Sequence, residues 1–189
     1  SVFYSKGTDF LYYVSTGDSI DMGFGDRPIM IRSNISDVRI YGLEFDFTAS
    51  PLRYLNVFGN YAYSVPKILD YKPLYTGDPV DLSGKYLTDV PKHSLAFGAI
   101  FQNKEIFNLG ITCKYVGEMF VNDQNVYDEI VRSNVYPSTF TVDLKVSREF
   151  LQSITASLSV QNIFDKQVYD SKGAVGPGRF VIASIGAKF

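Results

Sequence analysis

Phe107-Asn108-Leu109-Gly110-Ile111-Thr112-Cys113-Lys114-Tyr115 carries an apolar side chain at every second position and a polar or minimal one between. Successive side chains of an extended chain point to opposite faces, so this stretch reads as a strand with one apolar and one polar face. Working outward, the same parity recurs. Leu95, Phe97, Ala99 and Phe101 oppose Ser94, Ala96, Gly98 and Gln102; Phe140, Val142, Leu144 and Val146 oppose Thr139, Thr141, Asp143, Lys145 and Ser147. Ile154, Ala156, Leu158 and Val160 form another apolar row, as do Val181, Ala183, Ile185, Ala187 and Phe189. Nearer the start, Tyr41, Leu43, Phe45 and Phe47 oppose Gly42, Glu44, Asp46 and Thr48, and Leu55, Val57, Tyr61 and Tyr63 share a parity with Gly59. A first strand of ambiguous parity is expected around Phe10 to Val14. The total is roughly eight strands of about 10 residues or longer, the length a tilted strand needs to cross a bilayer.

The connections sharpen the reading. Ser50-Pro51-Leu52-Arg53, Gln102-Asn103-Lys104-Glu105 and Glu149-Phe150-Leu151-Gln152 are tight joins, whereas 17–29, 65–91, 118–135 and 165–177 are long, polar and rich in Gly, Asp and Pro. Short and long alternate throughout, the order of a bacterial outer-membrane barrel with short periplasmic turns and long extracellular loops. A soluble sandwich or lipocalin-like barrel alternates in polarity too, but has no reason to gather every long loop at one end. The expected fold is therefore all-β: an antiparallel up-and-down transmembrane β-barrel segment, about eight strands of a larger barrel, with sequence neighbours paired in space. Its home would be the outer membrane of a Gram-negative bacterium.

Composition removes other function classes. Lys and Arg number 18 against 20 Asp and Glu, so no basic excess exists to neutralise a phosphate backbone, and no nucleic-acid partner is expected. A single cysteine, Cys113, and a single histidine, His93, leave no disulfide framework and no usual zinc set. No apolar run approaches the roughly 18 residues of a spanning helix. Ser1-Val2-Phe3-Tyr4-Ser5 reads as mid-strand, so a fragment is expected.

Facing follows from charge. Glu44, Asp46, Lys114, Asp143, Lys145 and Lys188 all share the polar parity, which favours lipid on the apolar side and water or a plug on the other. Glu44, Asp46, Thr112, Lys114, Asp143 and Lys145 are thus expected to face the lumen, and Leu109, Ile111, Val142, Leu144, Leu158 and Ile185 the hydrocarbon. Aromatics gather at the strand ends, Tyr61, Tyr63, Tyr115 and Phe120 toward the long loops and Phe47, Phe101, Phe107 and Phe189 toward the short turns, as two interfacial girdles.

Few residues invite chemistry. His93 follows Pro91 at a strand start with only Asp89 as a nearby co-ligand, the setting of an interfacial side chain more than of a metal ligand. Cys113 sits on the apolar parity as a small lipid-facing residue. Asn34-Ile35-Ser36 fits a glycosylation pattern that is common by chance. The pairs Glu44/Asp46 and Asp143/Lys145 share a strand face, but a watery lumen needs charge without catalysis, so no enzyme, cofactor or metal is expected. Within 65–91, Tyr71, Lys72, Tyr75, Asp78, Lys85 and Tyr86, with Asp70 and Asp81, combine flat amphipathic rings with both charges. That composition suits contact with a polar aromatic or chelated small molecule, and equally an ordinary solvated loop.

Several segments resemble the carboxy-terminal barrel region of the TonB-dependent outer-membrane receptors. Tyr41-Gly42-Leu43-Glu44-Phe45-Asp46 followed by Ser50-Pro51 is similar to the strand and turn that open this region, and Leu87-Thr88-Asp89-Val90-Pro91-Lys92-His93-Ser94 to a loop-to-strand entry. Asn162-Ile163-Phe164-Asp165-Lys166 resembles the penultimate-strand pattern, and Pro177-Gly178-Arg179 through Phe189 the last strand. The resemblance implies energy-coupled import of a scarce nutrient, with a ferric siderophore as the expected cargo. The implied partners are outer-membrane lipid, the remaining barrel and plug of the same receptor, and the TonB complex through regions this sequence does not contain. It also implies that Phe189 serves as a barrel-assembly signal. A family barrel has about 22 strands, so residues 1–189 are expected to be the carboxy-terminal part of the wall, with plug domain and TonB box absent. The alternatives are a small structural or adhesive outer-membrane barrel without transport, and a soluble ligand-binding β-domain.

Overall fold

The computed structural model describes residues 1–23, 25–34, 37–71, 80–129, 132–150, 153–169 and 174–188, with backbone alone at 12, 15 and 28. Eight strands form one antiparallel sheet: β1 (Val2–Thr8), β4 (Asp37–Leu52), β5 (Leu55–Asp70), β6 (His93–Asn103), β7 (Phe107–Val116), β10 (Thr139–Phe150), β11 (Ile154–Gln161) and β12 (Phe180–Ala187). They stand in that spatial order, so each wall strand pairs with the next one along the chain. Two further hairpins lie outside the sheet, β2 (Leu11–Asp21) with β3 (Asp26–Asn34), and β8 (Met119–Phe120) with β9 (Val135–Tyr136).

The first strand differs from expectation. The wall strand is Val2–Thr8, which pairs with β4 from Val2 opposite Leu43 to Thr8 opposite Asp37. The Phe10–Val14 stretch belongs instead to the 9–36 connection, where Leu11–Asp21 pairs with Asp26–Asn34 in a separate two-stranded sheet. Both stretches alternate, and periodicity marks a strand without saying which sheet it joins.

Register carries the parity of single strands across the whole wall. One row runs Phe45, Tyr61, Leu95, Tyr115, Phe140; the next runs Phe47, Gly59, Phe97, Cys113, Val142; a third runs Ala49, Val57, Ala99, Ile111, Leu144, Val160, Val181. On the other face Gly98, Thr112 and Asp143 share a row, and Gln102, Asn108, Ser147, Ser157 and Ser184 another. A one-residue slip would turn every side chain over, so two unlike faces fix the register. Aromatic rings also lie across strands on glycines: Phe47 covers Gly59 on the apolar face, and Phe58 covers Gly98 on the polar face. A ring over a glycine shields backbone that has no side chain of its own.

Among the described residues, no second layer covers the sheet below its long-loop end. The apolar face is bare, with Phe45 59%, Phe47 45% and Ile185 81% exposed. The buried cluster lies instead at the long-loop end, where Val14 of β2, Val38 of β4, Ile68 of β5 and Tyr71, Val80, Leu82 and Leu87 of the following connection pack together. Val38 and Ile68 belong to the polar-face parity. The loops therefore fold inward over that face, and water is excluded at the mouth.

Candidate functional site

Two regions offer recognition chemistry, one on the polar face and one at the long-loop end. The first is mid-wall, where the sheet curls around a groove of about 450 Å³ lined by Gln102, Asn108, Thr112, Asp143, Lys145, Ser147, Ser159 and Gln161 among others. Thr112, Asp143 and Lys145 thus line one shared groove of the polar face. Lys114 Nζ lies 3.2 Å from Asp143 Oδ2, diagonally across β7 and β10. Glu44 and Asp46 share the polar parity on β4, opposite Ala62 and Asn60, and the Ser1 hydroxyl donates to Glu44 at 3.1 Å. Of the expected lipid-facing set, Ile111, Leu158 and Ile185 are exposed on the opposite face, while Leu109, Val142 and Leu144 are half-buried among their row neighbours.

The second region is the mouth. Tyr86 pairs with Lys67 of β5 in an isolated bridge beyond the end of the β5–β6 ladder. The Lys67 and Lys92 ammonium groups sit 5.0 and 4.1 Å from the centre of its ring, which stacks on Phe120 at 5.5 Å. From the 116–139 loop, Asn125 clamps the Tyr86 backbone, accepting from its N–H at 2.6 Å and donating to its carbonyl at 3.0 Å. Asn125 itself has φ of 58°, a left-handed conformation that Asn tolerates better than most residues. Tyr136, nearly fully buried, stacks on Tyr169 of the next loop at 5.4 Å. Burial, and then Asp89 and Asp128, hold the Tyr136 hydroxyl above its ordinary range. Asp81 is held below the carboxylate range because the Ser83 amide, 2.8 Å away, donates to it. Three long loops are thereby interlocked by one amide clamp and two ring stacks.

The remaining expected residues fall as follows. Lys85 and Tyr86 are half-buried at this mouth. Tyr71 lies in the apolar cluster at 7% exposure, where it anchors the loop root. Lys72, Tyr75, Asp78 and Phe189 lie outside the described residues, as do Ile35 and Ser36 of the Asn34 pattern. His93 Nδ1 is 2.8 Å from the Tyr61 hydroxyl, and its ring packs on Tyr61 and Tyr63 in the upper aromatic band. Among the described residues no group of three or more His, Cys, Asp or Glu could hold a metal. Sequence reading missed the Asn125 clamp, the paired lysines on Tyr86 and the Tyr136–Tyr169 stack. The clamp and the Tyr136–Tyr169 stack join residues from different loops, and Lys67 reaches Tyr86 from strand β5, so no spacing signals them.

Residues 1–163 match the family model described as TonB dependent receptor-like, beta-barrel. The chain belongs to this family. Among curated proteins, relatives include the metal-pseudopaline receptor CntO of Pseudomonas aeruginosa, 25% identical over 71% of this chain and 18% of that protein. Another is the probable TonB-dependent receptor BfrD of Bordetella pertussis, 23% identical over 79% of this chain and 20% of that one. The fold matches the siderophore receptor PiuA of Acinetobacter baumannii with a TM-score of 0.72 at 13% identity, covering all of this chain and 25% of that structure. The ferric preacinetobactin receptor BauA from the same organism matches with a TM-score of 0.66 at 17% identity, over 100% and 26%. The chain thus spans about a fifth of the curated relatives it matches and about a quarter of these solved chains.

In this TonB-dependent receptor wall, the two carboxy-terminal motifs have a physical role. Asn162 and Asp165 both adopt positive φ, 50° and 53°. The Asn162 side chain donates to the Lys166 carbonyl at 2.7 Å and accepts from its N–H at 3.0 Å, while Asp143 Oδ1 accepts from the Asn162 N–H at 2.8 Å. Asp165 Oδ1 accepts from the Arg179 N–H at 2.7 Å, and a side chain at Gly178 would meet that same oxygen. The Asn162–Lys166 and Gly178-Arg179 segments are one latch that closes the loop between β11 and β12.

Proposed function

We propose that residues 1–189 are the carboxy-terminal part of the transmembrane wall of an outer-membrane import receptor, whose plug and TonB-contacting segment lie in other parts of the protein. The single observation that carries this reading is the two-faced wall: apolar outside, and polar around a groove where Thr112, Asp143 and Lys145 converge. Such a surface suits water or a packed plug inside and hydrocarbon outside. The mouth would contribute to gripping a small metal chelate, a ferric siderophore in the first instance. Lys85 and Tyr86 would contact it, together with Lys72, Tyr75 and Asp78, while buried Tyr71 holds the loop in place. Support for this cargo comes from the relatives, which are receptors for pseudopaline-bound metal and for siderophores. The activity is transport and not catalysis, and the site is the outer membrane of a Gram-negative bacterium.

The test is growth and radioiron uptake by a strain carrying the full-length receptor, supplied with defined ferric hydroxamate and catecholate chelates. Uptake that requires TonB and falls at least several-fold in Lys85→Ala/Tyr86→Ala is expected. Equal uptake with and without the receptor across the panel would point to a structural or adhesive barrel instead.

A further inference from the structure

The latch between β11 and β12 begins where a side chain of the polar face takes over from the backbone ladder. Pairing of β10 with β11 ends at Leu144 opposite Val160, and the chain then turns away through Asn162 at φ 50°. Two bonds carry it over that turn. Ile163 N–H donates to the Val142 carbonyl at 2.9 Å, and Asn162 N–H to Asp143 Oδ1 at 2.8 Å. The second acceptor sits on a side chain that can rotate, whereas a carbonyl within the strand is fixed. Left-handed backbone at Asn162 and Asp165 costs energy and persists only while such bonds hold it.

Asp143 stands between two cations on one face. Lys114, diagonally above it toward the long loops, meets Oδ2 at 3.2 Å. Lys145, two residues further along β10 and about 7 Å below, is exposed in the groove, and among the described residues no acid pairs with it. Asn162 and Lys114 both lie on the long-loop side of Asp143, so a carboxylate turned toward Lys114 also meets the Asn162 N–H. A carboxylate turned toward Lys145 leaves both. Beyond Asn162 the effect has a path outward. The Asn162 side chain holds Lys166, and Tyr169, three residues on, stacks on Tyr136 of the neighbouring loop.

We propose that Asp143 is a two-position relay through which charge in the groove sets the order of the β11–β12 connection at the mouth. Turned toward Lys114 it closes the latch; turned toward Lys145 it releases it. An anionic group seated on Lys145 therefore keeps the connection closed, and an added cation at that level opens it. The proposal rests on the reading that the polar face encloses the lumen.

Hydrogen exchange of the amides in 162–169 is followed by mass spectrometry on the full-length receptor in neutral detergent. Lys114→Gln should quicken it about fivefold, the low end of couplings between sites because Lys114 is more than half exposed. Lys145→Gln alone should leave the rate unchanged or lower it. Lys114→Gln with Lys145→Gln should return exchange to the wild-type rate, since neither cation then draws the carboxylate away from Asn162. Asp143→Asn should quicken exchange and abolish any response to Lys145→Gln. A merely structural role would leave the double variant at least as fast as Lys114→Gln; that outcome, or no response to Lys114→Gln, overturns the relay. Should the double variant not fold, Gly110 decides, because it lies opposite Lys145 with nothing within 4 Å of where a side chain would begin. Gly110→Lys should quicken exchange and Gly110→Gln should not; equal rates overturn the proposal. Insertion of Ile111→Arg into vesicles separates the two readings: if it inserts as well as the wild type, the lumen reading falls. If it inserts poorly while Lys114→Gln leaves exchange unchanged, only the relay falls.

Discussion

The short-turn end and the long-loop end of this wall are stabilised differently. At the short-turn end β4 and β5 meet at Leu52 opposite Leu55, and β6 and β7 at Asn103 opposite Phe107. Local bonds suffice there: the Asn103 side chain accepts from Glu105 N–H at 3.0 Å, and the Ser50 hydroxyl donates to Asn56 at 2.6 Å. At the long-loop end a true apolar core forms from Val14, Val38, Ile68, Leu82 and Leu87, and side chains of three loops interlock. In the spanning part the hydrogen-bonded ladder and the surrounding lipid must do the work that a core does in water. Only the mouth, which meets solvent, needs burial of its own.

The largest effect that would break this comparison comes from the lipid side. Ile111→Arg should cost on the order of 2–4 kcal/mol in a folding titration into vesicles, and Thr112→Arg, one residue away on the other face, much less. Equal costs would mean the faces are not distinct. Next, Leu82→Ala removes a fully buried side chain from the mouth and should cost about 2 kcal/mol. Hydrogen exchange should then quicken over 80–92 with the amides of β6 and β7 unchanged; faster exchange throughout the wall would show the two ends to be one cooperative unit. Asn125→Ala leaves the Tyr86 N–H and carbonyl without their clamp, an expected loss of about 1–2 kcal/mol confined to the loops. Limited proteolysis of the 116–139 loop reads it.

The smallest effect is on pH. Tyr136 is held neutral above its ordinary range by burial, so its contribution to loop order is complete below the unfolded tyrosine value of about 10 and is lost as pH rises through its folded value. Near-ultraviolet circular dichroism should fade over that alkaline window, and Tyr136→Phe should remove the dependence while keeping the stack.

What was legible in the sequence tracks the range of the interactions. Parity in Phe107–Tyr115 is local, and the wall inherits it through pairing between adjacent strands, so both faces and the strand order could be read directly. The first wall strand was not: Val2–Thr8 and Leu11–Asp21 are both strand-like, and only tertiary contact decides which one the sheet recruits. Leu82 and Leu87 look like isolated apolar residues in a polar loop, since their partners Val14 and Val38 lie far away along the chain. Tyr86 was legible as a ring in a suitable loop. Its clamp by Asn125 depends on a different loop and left no trace in spacing.

The rings laid over glycines bear on which mutational paths are open to this wall. A methyl group at Gly59 would collide first with the Phe47 ring, an exposed side chain facing outward, so loss or rotation of that ring eases the change. At Gly98 the obstacle includes the Ile111 carbonyl as well as Phe58, and no replacement of the ring removes a backbone atom. The order of substitution therefore matters at 47 and 59, where the pair drifts as a unit, whereas position 98 is closed from either direction.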